Sequence, residues 1–196
     1  MKLIQQSWQY EQPWPGDTYE LIERAGRTCY QSHGKNPEEF CRMIFRNGHH
    51  SVLEHVSCSL RIKTSRAVSH ELVRHRLCSF SQESQRYVRY QDLEFIIPEW
   101  FDLDNYKEAS SEFTFFCDHI EQLYQIMLKN GLKPQEAREI LPNCVATELV
   151  MTANLREWLH ICNLRTAKGV YPQTKSLFEE IKYNFRSKLP IFFGEN

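Results

Sequence analysis

The sequence predicts an α+β fold, with a mainly antiparallel sheet flanked by long helices in a single domain spanning residues 1–196. Three observations point there. Strand-type alternation and helix-type periodicity interleave irregularly, without the regular βαβ succession of a parallel α/β sheet. None of the seven glycines forms a GxGxxG loop, so the chain offers no dinucleotide-binding Rossmann turn. A length of 196 residues, 41% hydrophobic and 25% charged, suits one globular core.

The elements follow in order. Val56, Cys58, Leu60 and Ile62 alternate with polar residues, as a strand with one buried face requires, and Glu54 and His55 are expected to open it and hydrogen-bond across it. Thr64 or Ser65 then caps a helix through Ala67, Val68, Leu72 and Val73, with Arg74 and Arg76 near its C-terminal end, where cations suit the dipole. Residues 93–101, LEFIIPEWF, form a second extended segment. From about Asp104 to Asn130, Phe113, Phe116, Cys117, Ile120, Leu123, Tyr124 and Met127 recur at three- and four-residue intervals, and Asn130 with Gly131 ends that helix. Pro134 opens a short helix that carries Arg138 and ends before Pro142. Residues 145–151 form another strand, and Asn154 caps a helix over residues 154–165. Pro172 opens the last helix, with Leu177, Phe178, Ile181, Phe185 and Leu189 on its apolar stripe.

Composition removes some classes of function. No apolar run approaches the length of a membrane span, and the N-terminus, MKLIQQSWQYEQPWPG, lacks the apolar core of a secretory signal, so a cytoplasmic protein is expected. Seven cysteines (Cys29, Cys41, Cys58, Cys78, Cys117, Cys144, Cys162) are an odd number without any CxxC pair, which reads as reduced, mostly buried thiols. Cys78, two residues after Arg76, has the neighbouring cation that a nucleophilic thiol needs. His49, His50 and His55 could suggest a metal, but no carboxylate and histidine set completes the ligands at familiar spacing, so no metal is expected.

The chemistry concentrates in residues 74–90, RHRLCSFSQESQRYVRY. Arg74, Arg76, Arg86 and Arg89 oppose only Glu83, a local charge of +3 in a chain of net charge −1. Guanidinium forks match phosphate and carboxylate oxygens two at a time, and Ser79, Ser81 and Ser84 add hydroxyl donors, so the stretch reads either as an anion site or as a solvated basic face. A nucleic-acid module could use the same arginines with Tyr87 and Tyr90 for stacking, but the near-zero net charge counts against it. Over residues 154–165, Asn154 and Arg165 point the same way, roughly 16 Å apart along the axis, while Arg156 and His160 project from the far side. Groups on opposite faces place that helix between two sites.

Arg74-His75-Arg76, then seven residues, then Ser84 followed by Arg86 and Tyr87, resembles the signature of flavin-dependent thymidylate synthases, which methylate dUMP without an enzymic cysteine nucleophile. GHHSVLEH (48–55), EAREILP (136–142), TANLREW (152–158) and NLR (163–165) extend the resemblance over nearly the whole chain in the family's order. It implies FAD contacts from His49, Ser51, Arg74, His75, Arg76, Gln82, Asn154, Arg156 and His160, with His55 left structural. It implies a dUMP site built from Glu71, Arg74, Gln82, Glu83, Ser84, Gln85, Arg86, Arg138 and Arg165. Gln82 stands where some members carry Glu, and His160 where some carry Asn. NAD(P)H and methylenetetrahydrofolate are the implied co-substrates, no catalytic role falls on Cys78, and the implied assembly is a homotetramer whose active sites are shared between subunits.

Within that resemblance the roles follow from chemistry. Arg165 is the candidate catalytic residue, a fixed cation near N3 and O4 of a pyrimidine that must gather negative charge before its carbon 5 can attack. Arg86, Ser84 and Arg138 suit the phosphate, with Arg74 bridging toward flavin. A simple NAD(P)H flavin oxidoreductase would explain the cofactor but leave the nucleotide arginines idle.

Overall fold

The computed structural model describes residues 1–28, 31, 34 and 36–194, so the expected thiol of Cys29 lies outside the described residues. Two short strands begin the chain, β1 (Lys2–Ile4) and β2 (Ser7–Gln12), followed by helices α1 (Thr18–Thr28) and α2 (Pro37–Arg46). Asn36 caps α2, its side chain accepting from the Glu39 amide at 3.1 Å, and Pro37 occupies the first turn, where its missing N–H costs nothing. β3 (Ser57–Ser65) buries Cys58, Leu60 and Ile62 completely, as the alternation requires. Ser65 then caps α3 (Arg66–Leu72), accepting from the Val68 amide at 3.2 Å.

Beyond α3 come β4 (Ser79–Gln82) and β5 (Glu94–Ile96), then the long α4 (Lys107–Lys129). Asn130 caps α4 and Gly131 follows at φ 90°, a conformation glycine adopts without strain. α5 (Pro134–Ala137), β6 (Ala146–Asn154), α6 (Leu155–Arg165), α7 (Pro172–Lys188) and α8 (Pro190–Phe193) complete the order. β2-β3-β6-β4 form a four-stranded antiparallel sheet. β1 and β5 pair in parallel, Leu3 opposite Phe95, and Phe95 bridges Val145 antiparallel.

The residues gather into two compact units. One comprises Met1–Trp8, Ile62–Arg74 and Ser81–Leu149, the other Gln9–Arg61, His75–Phe80 and Val150–Asn196. The first is built on Leu93, Phe95, Cys117, Ile120, Tyr124, Leu128, Ala137 and Val145, which brings the buried stripe of α4 against β5. The second centres on Phe185 of α7, whose ring lies 5.4 Å from Trp158 and 5.1 Å from Phe193. Trp158 is fully buried, and its indole N–H donates to the Cys58 carbonyl at 3.2 Å. Truncating a ring such as Phe185 to alanine removes about 3–5 kcal/mol.

Several boundaries differ from expectation. Glu54 and His55 do not open β3. Residues His50–His55 form a 3-10 turn, closed by the Val56 amide donating to Leu53, and both side chains are exposed. The segment LEFIIPEWF is extended only over Glu94–Ile96, because Pro98 cannot donate to a ladder and its carbonyl instead accepts the Phe101 amide in a turn. α3 stops at Leu72, and Arg74 and Arg76 lie beyond it. A 3-10 turn, Asp104–Tyr106, precedes α4, on which Phe116 is exposed rather than buried. β6 runs to Asn154, past the expected end at residue 151. No helix among the described residues is long and apolar enough to cross a membrane.

Candidate active site

His75 is the buried centre of the second unit's polar cluster, 6% exposed beside Glu157 at 7%. Arg165 donates its Nε–H to His75 Nε2 at 2.9 Å, a pairing of residues 90 positions apart. A guanidinium only donates, so Nε2 must carry a lone pair and the ring's single proton sits on Nδ1. That Nδ1 faces Glu157 Oε1 at 3.7 Å, too long for a hydrogen bond but close enough for electrostatic attraction. Burial, with the Arg165 guanidinium and His160 nearby, holds the imidazole down at about 4, so the contact with Glu157 joins a neutral ring to the carboxyl rather than two full charges. Burial also raises the Glu157 carboxyl above its ordinary range. His160 completes the group, its ring 6.2 Å from His75.

α6 positions three of these side chains, and its cap explains how. Asn154 accepts from the Glu157 amide at 2.9 Å, leaving its NH2 group for other partners. Along α6, Arg156 and His160 are exposed and line a cleft of about 830 Å³ with Phe45, His50, Lys182, Tyr183 and Arg186. Cations and aromatic faces dominate it, with Glu179 as a carboxylate on its wall. Arg156 is not simply solvated, because it donates to Glu54 at 2.6 Å. His50 stacks on Phe45 at 5.0 Å, whereas His49, just before the 3-10 turn, and Ser51, within it, stand exposed. The faces of α6 expected to serve separate sites therefore meet through His75, which contacts Arg165 and neighbours His160. The Nε2 of His75 is committed to Arg165, while its Nδ1–H faces Glu157 without a hydrogen bond.

In the first unit, Gln82 is fixed between α3 and β6. Its Nε2 donates to Ser69 Oγ at 3.0 Å and to Thr147 Oγ1 at 3.3 Å. Ser69 uses its own proton on the Arg66 carbonyl, so it must accept from Gln82, and this settles the orientation of the amide. With both amide hydrogens engaged, Gln82 offers a ligand only Oε1, an acceptor. Residues 84–88 then turn tightly, the Tyr87 and Val88 amides donating to the Ser84 carbonyl at 3.1 and 3.0 Å. Gln85 Nε2 is buried without a hydrogen-bond partner among the described residues. The Arg86 guanidinium lies over the exposed Tyr87 ring at 5.5 Å. Glu71 and Glu83 are half-buried, while Arg74 and Arg138 are exposed, Arg138 on the 3-10 turn after α5; Arg76, in the second unit, is exposed too.

Sequence reasoning overlooked Glu157, Glu54, Ser69 and Thr147. The Asn-x-x-Glu spacing of Asn154 and Glu157 was the one available signal, since it marks a helix start, but nothing local shows that this glutamate is buried. Among the described residues no group of three or more histidine, cysteine, aspartate or glutamate side chains is arranged to hold a metal ion.

The chain is similar to known proteins over most of its length. A family profile described as Thymidylate synthase complementing protein matches residues 13–191. A flavin-dependent thymidylate synthase of Mycolicibacterium gilvum is 39% identical over 89% of this chain and 78% of its own length. One from Corynebacterium aurimucosum is 32% identical over the same shares. Among solved structures, a UMP/dUMP methylase, PolB from Streptomyces cacaoi bound with 5-Br dUMP, shares the fold with a TM-score of 0.85 at 20% identity, covering 98% of this chain and 95% of that one.

Proposed function

The chain belongs to the flavin-dependent thymidylate synthase family, and from that premise we propose that it is an FAD-dependent methyltransferase converting dUMP to dTMP. Methylenetetrahydrofolate is the carbon donor, NAD(P)H the reductant and tetrahydrofolate the released folate. One observation carries the reading: a guanidinium, Arg165, oriented by the bare Nε2 of a neutral buried imidazole. Such a cation stabilises negative charge on a pyrimidine without itself giving up a proton.

The donor set fits FAD. Arg156 and His160 line a cleft of a size typical for cofactors, and with Arg76 and the NH2 of Asn154, which are not in its lining, they supply donors suited to a diphosphate and a polar ring edge. FAD, when bound, supplies redox chemistry that no side chain carries. Everything else falls to the chain's own residues. Arg86, Ser84 and Arg138 hold the phosphate of dUMP. Gln82 presents Oε1 as an acceptor for a ring N–H, and the buried Nε2 of Gln85 supplies a donor lacking a partner among the described residues. Arg165 serves the pyrimidine as charge develops there.

The Cys78 thiol supports a route in which it is not the nucleophile. Burial, with Glu157 nearby, pushes the Cys78 thiol up to about 12, so almost no thiolate exists at neutral pH. The assembly consistent with this reading is a cytoplasmic homotetramer whose active sites draw on more than one subunit. Omission assays test the reading: purified enzyme should form dTMP only when dUMP, FAD, methylenetetrahydrofolate and NAD(P)H are all present. Undiminished dTMP formation by flavin-stripped protein would refute it.

A further inference from the structure

We propose that Glu157 is a positioning residue: it holds His75 as the Nδ1–H tautomer, so that Nε2 remains an acceptor for Arg165 and the guanidinium keeps one orientation. The proposal rests on reading Arg165 as the cation that serves the pyrimidine. A neutral imidazole can carry its proton on either nitrogen, and the wrong choice would set an N–H against the Nε–H of Arg165. Two donors would then face each other at 2.9 Å in a buried place, and the contact would break.

Glu157 is placed to prevent this. Its carboxyl lies on the Nδ1 side of the ring at 3.7 Å, and at 7% and 6% exposure neither partner is screened by much water. The backbone that carries it is fixed by the cap, since Asn154 accepts from the Glu157 amide. It also sits in the first turn of α6, where the helix dipole favours negative charge. His75 faces this buried glutamate across the shortest of its charged contacts, and His160 and Cys78 also lie within its electrostatic reach. His160, at 6.2 Å from His75, is the remaining titratable ring in the group.

The test uses the FAD-bound enzyme with 15N-labelled histidine, comparing wild type with Glu157→Gln and Glu157→Leu. Two-bond 1H–15N correlation spectra distinguish a protonated from an unprotonated ring nitrogen. Wild-type His75 should show a protonated Nδ1 and a bare Nε2. Glu157→Leu should show both tautomers, and its kcat for dTMP should fall by at least about tenfold, since a buried carboxylate that sets a histidine tautomer is worth orders of magnitude elsewhere. KM for dUMP should change little, and anaerobic reduction of the flavin by NAD(P)H should persist. Glu157→Gln keeps an oxygen acceptor toward Nδ1 and should restore most of the tautomer and of kcat. A single Nδ1–H tautomer in Glu157→Leu, or equal losses of kcat in the two variants, would overturn the proposal. The spectra do not depend on turnover, so failure of the wild type to make dTMP would count against the proposed function and leave the tautomer result to be read separately.

Discussion

Protonating His75 should weaken the fold in a defined pH window. The imidazole titrates near 6.5 when unfolded and at about 4 when folded, because burial, Arg165 and His160 disfavour its cation. Between those values the unfolded chain binds a proton that the folded chain does not. Stability from this group is therefore complete above about pH 6.5 and is lost progressively as pH falls toward 4. At 6% exposure the ring is little screened, and the shift translates into a loss of about 2 kcal/mol between pH 7 and pH 5. Glu157 acts in the opposite sense: its raised carboxyl takes up a proton more readily when folded, so it adds stability as pH falls toward the carboxylate range. Comparison with His75→Gln separates the two. Urea unfolding followed by fluorescence, at fixed protein and FAD concentration, should show wild type losing about 2 kcal/mol more than His75→Gln over that interval. Parallel pH dependences would refute the claim that His75 is held neutral by its surroundings.

Binding and activation at the nucleotide should separate by residue. Arg86→Ala should chiefly raise KM for dUMP, because phosphate is held equally in ground and transition states, whereas Arg165→Ala should lower kcat by roughly a hundredfold or more while flavin reduction continues. Steady-state and anaerobic half-reaction kinetics check both, and exchanged effects would reverse the assignments. Cys78→Ser should keep most turnover, since its thiol is protonated and carries no chemical step; a variant that binds dUMP and FAD but makes no dTMP would contradict this. Arg76→Ala should lose flavin and elute as a smaller species from a sizing column, measured by absorbance in the flavin bands, and full flavin retention in an unassembled chain would refute that role.

Much of the fold was legible where local chemistry decides the outcome. Asn154 and Ser65 cap helices as their side chains require, Gly131 ends α4, and the alternation around Cys58 and Leu60 marks β3. Elements whose burial is not hydrophobic were not. α1 buries Ile22 together with Glu23 and Gly26, so its inner face has little apolar pattern to read, and β1 is three residues long with its partner some ninety positions away. α2 was missed despite its Asn36-Pro37 start, a signal that was present and unused. The site divides in the same way. Residues 74–90 declare their arginines directly, but the pairing of Arg165 with His75 and of Gln82 with Thr147 depends on long-range packing. Arg156 illustrates the limit: helical geometry correctly leaves it exposed, but only the tertiary structure supplies Glu54 as its partner.

The identity of the folate product tests the central claim most directly. Under anaerobic conditions, with dUMP, methylenetetrahydrofolate, FAD and NAD(P)H supplied, chromatography coupled to mass spectrometry would quantify dTMP and both reduced folates together. If flavin carries the reducing equivalents and no cysteine acts as nucleophile, one tetrahydrofolate should appear per dTMP, and the ratio should be unchanged in Cys78→Ser. Dihydrofolate formed in step with dTMP would show that the folate itself is the reductant and would contradict the account.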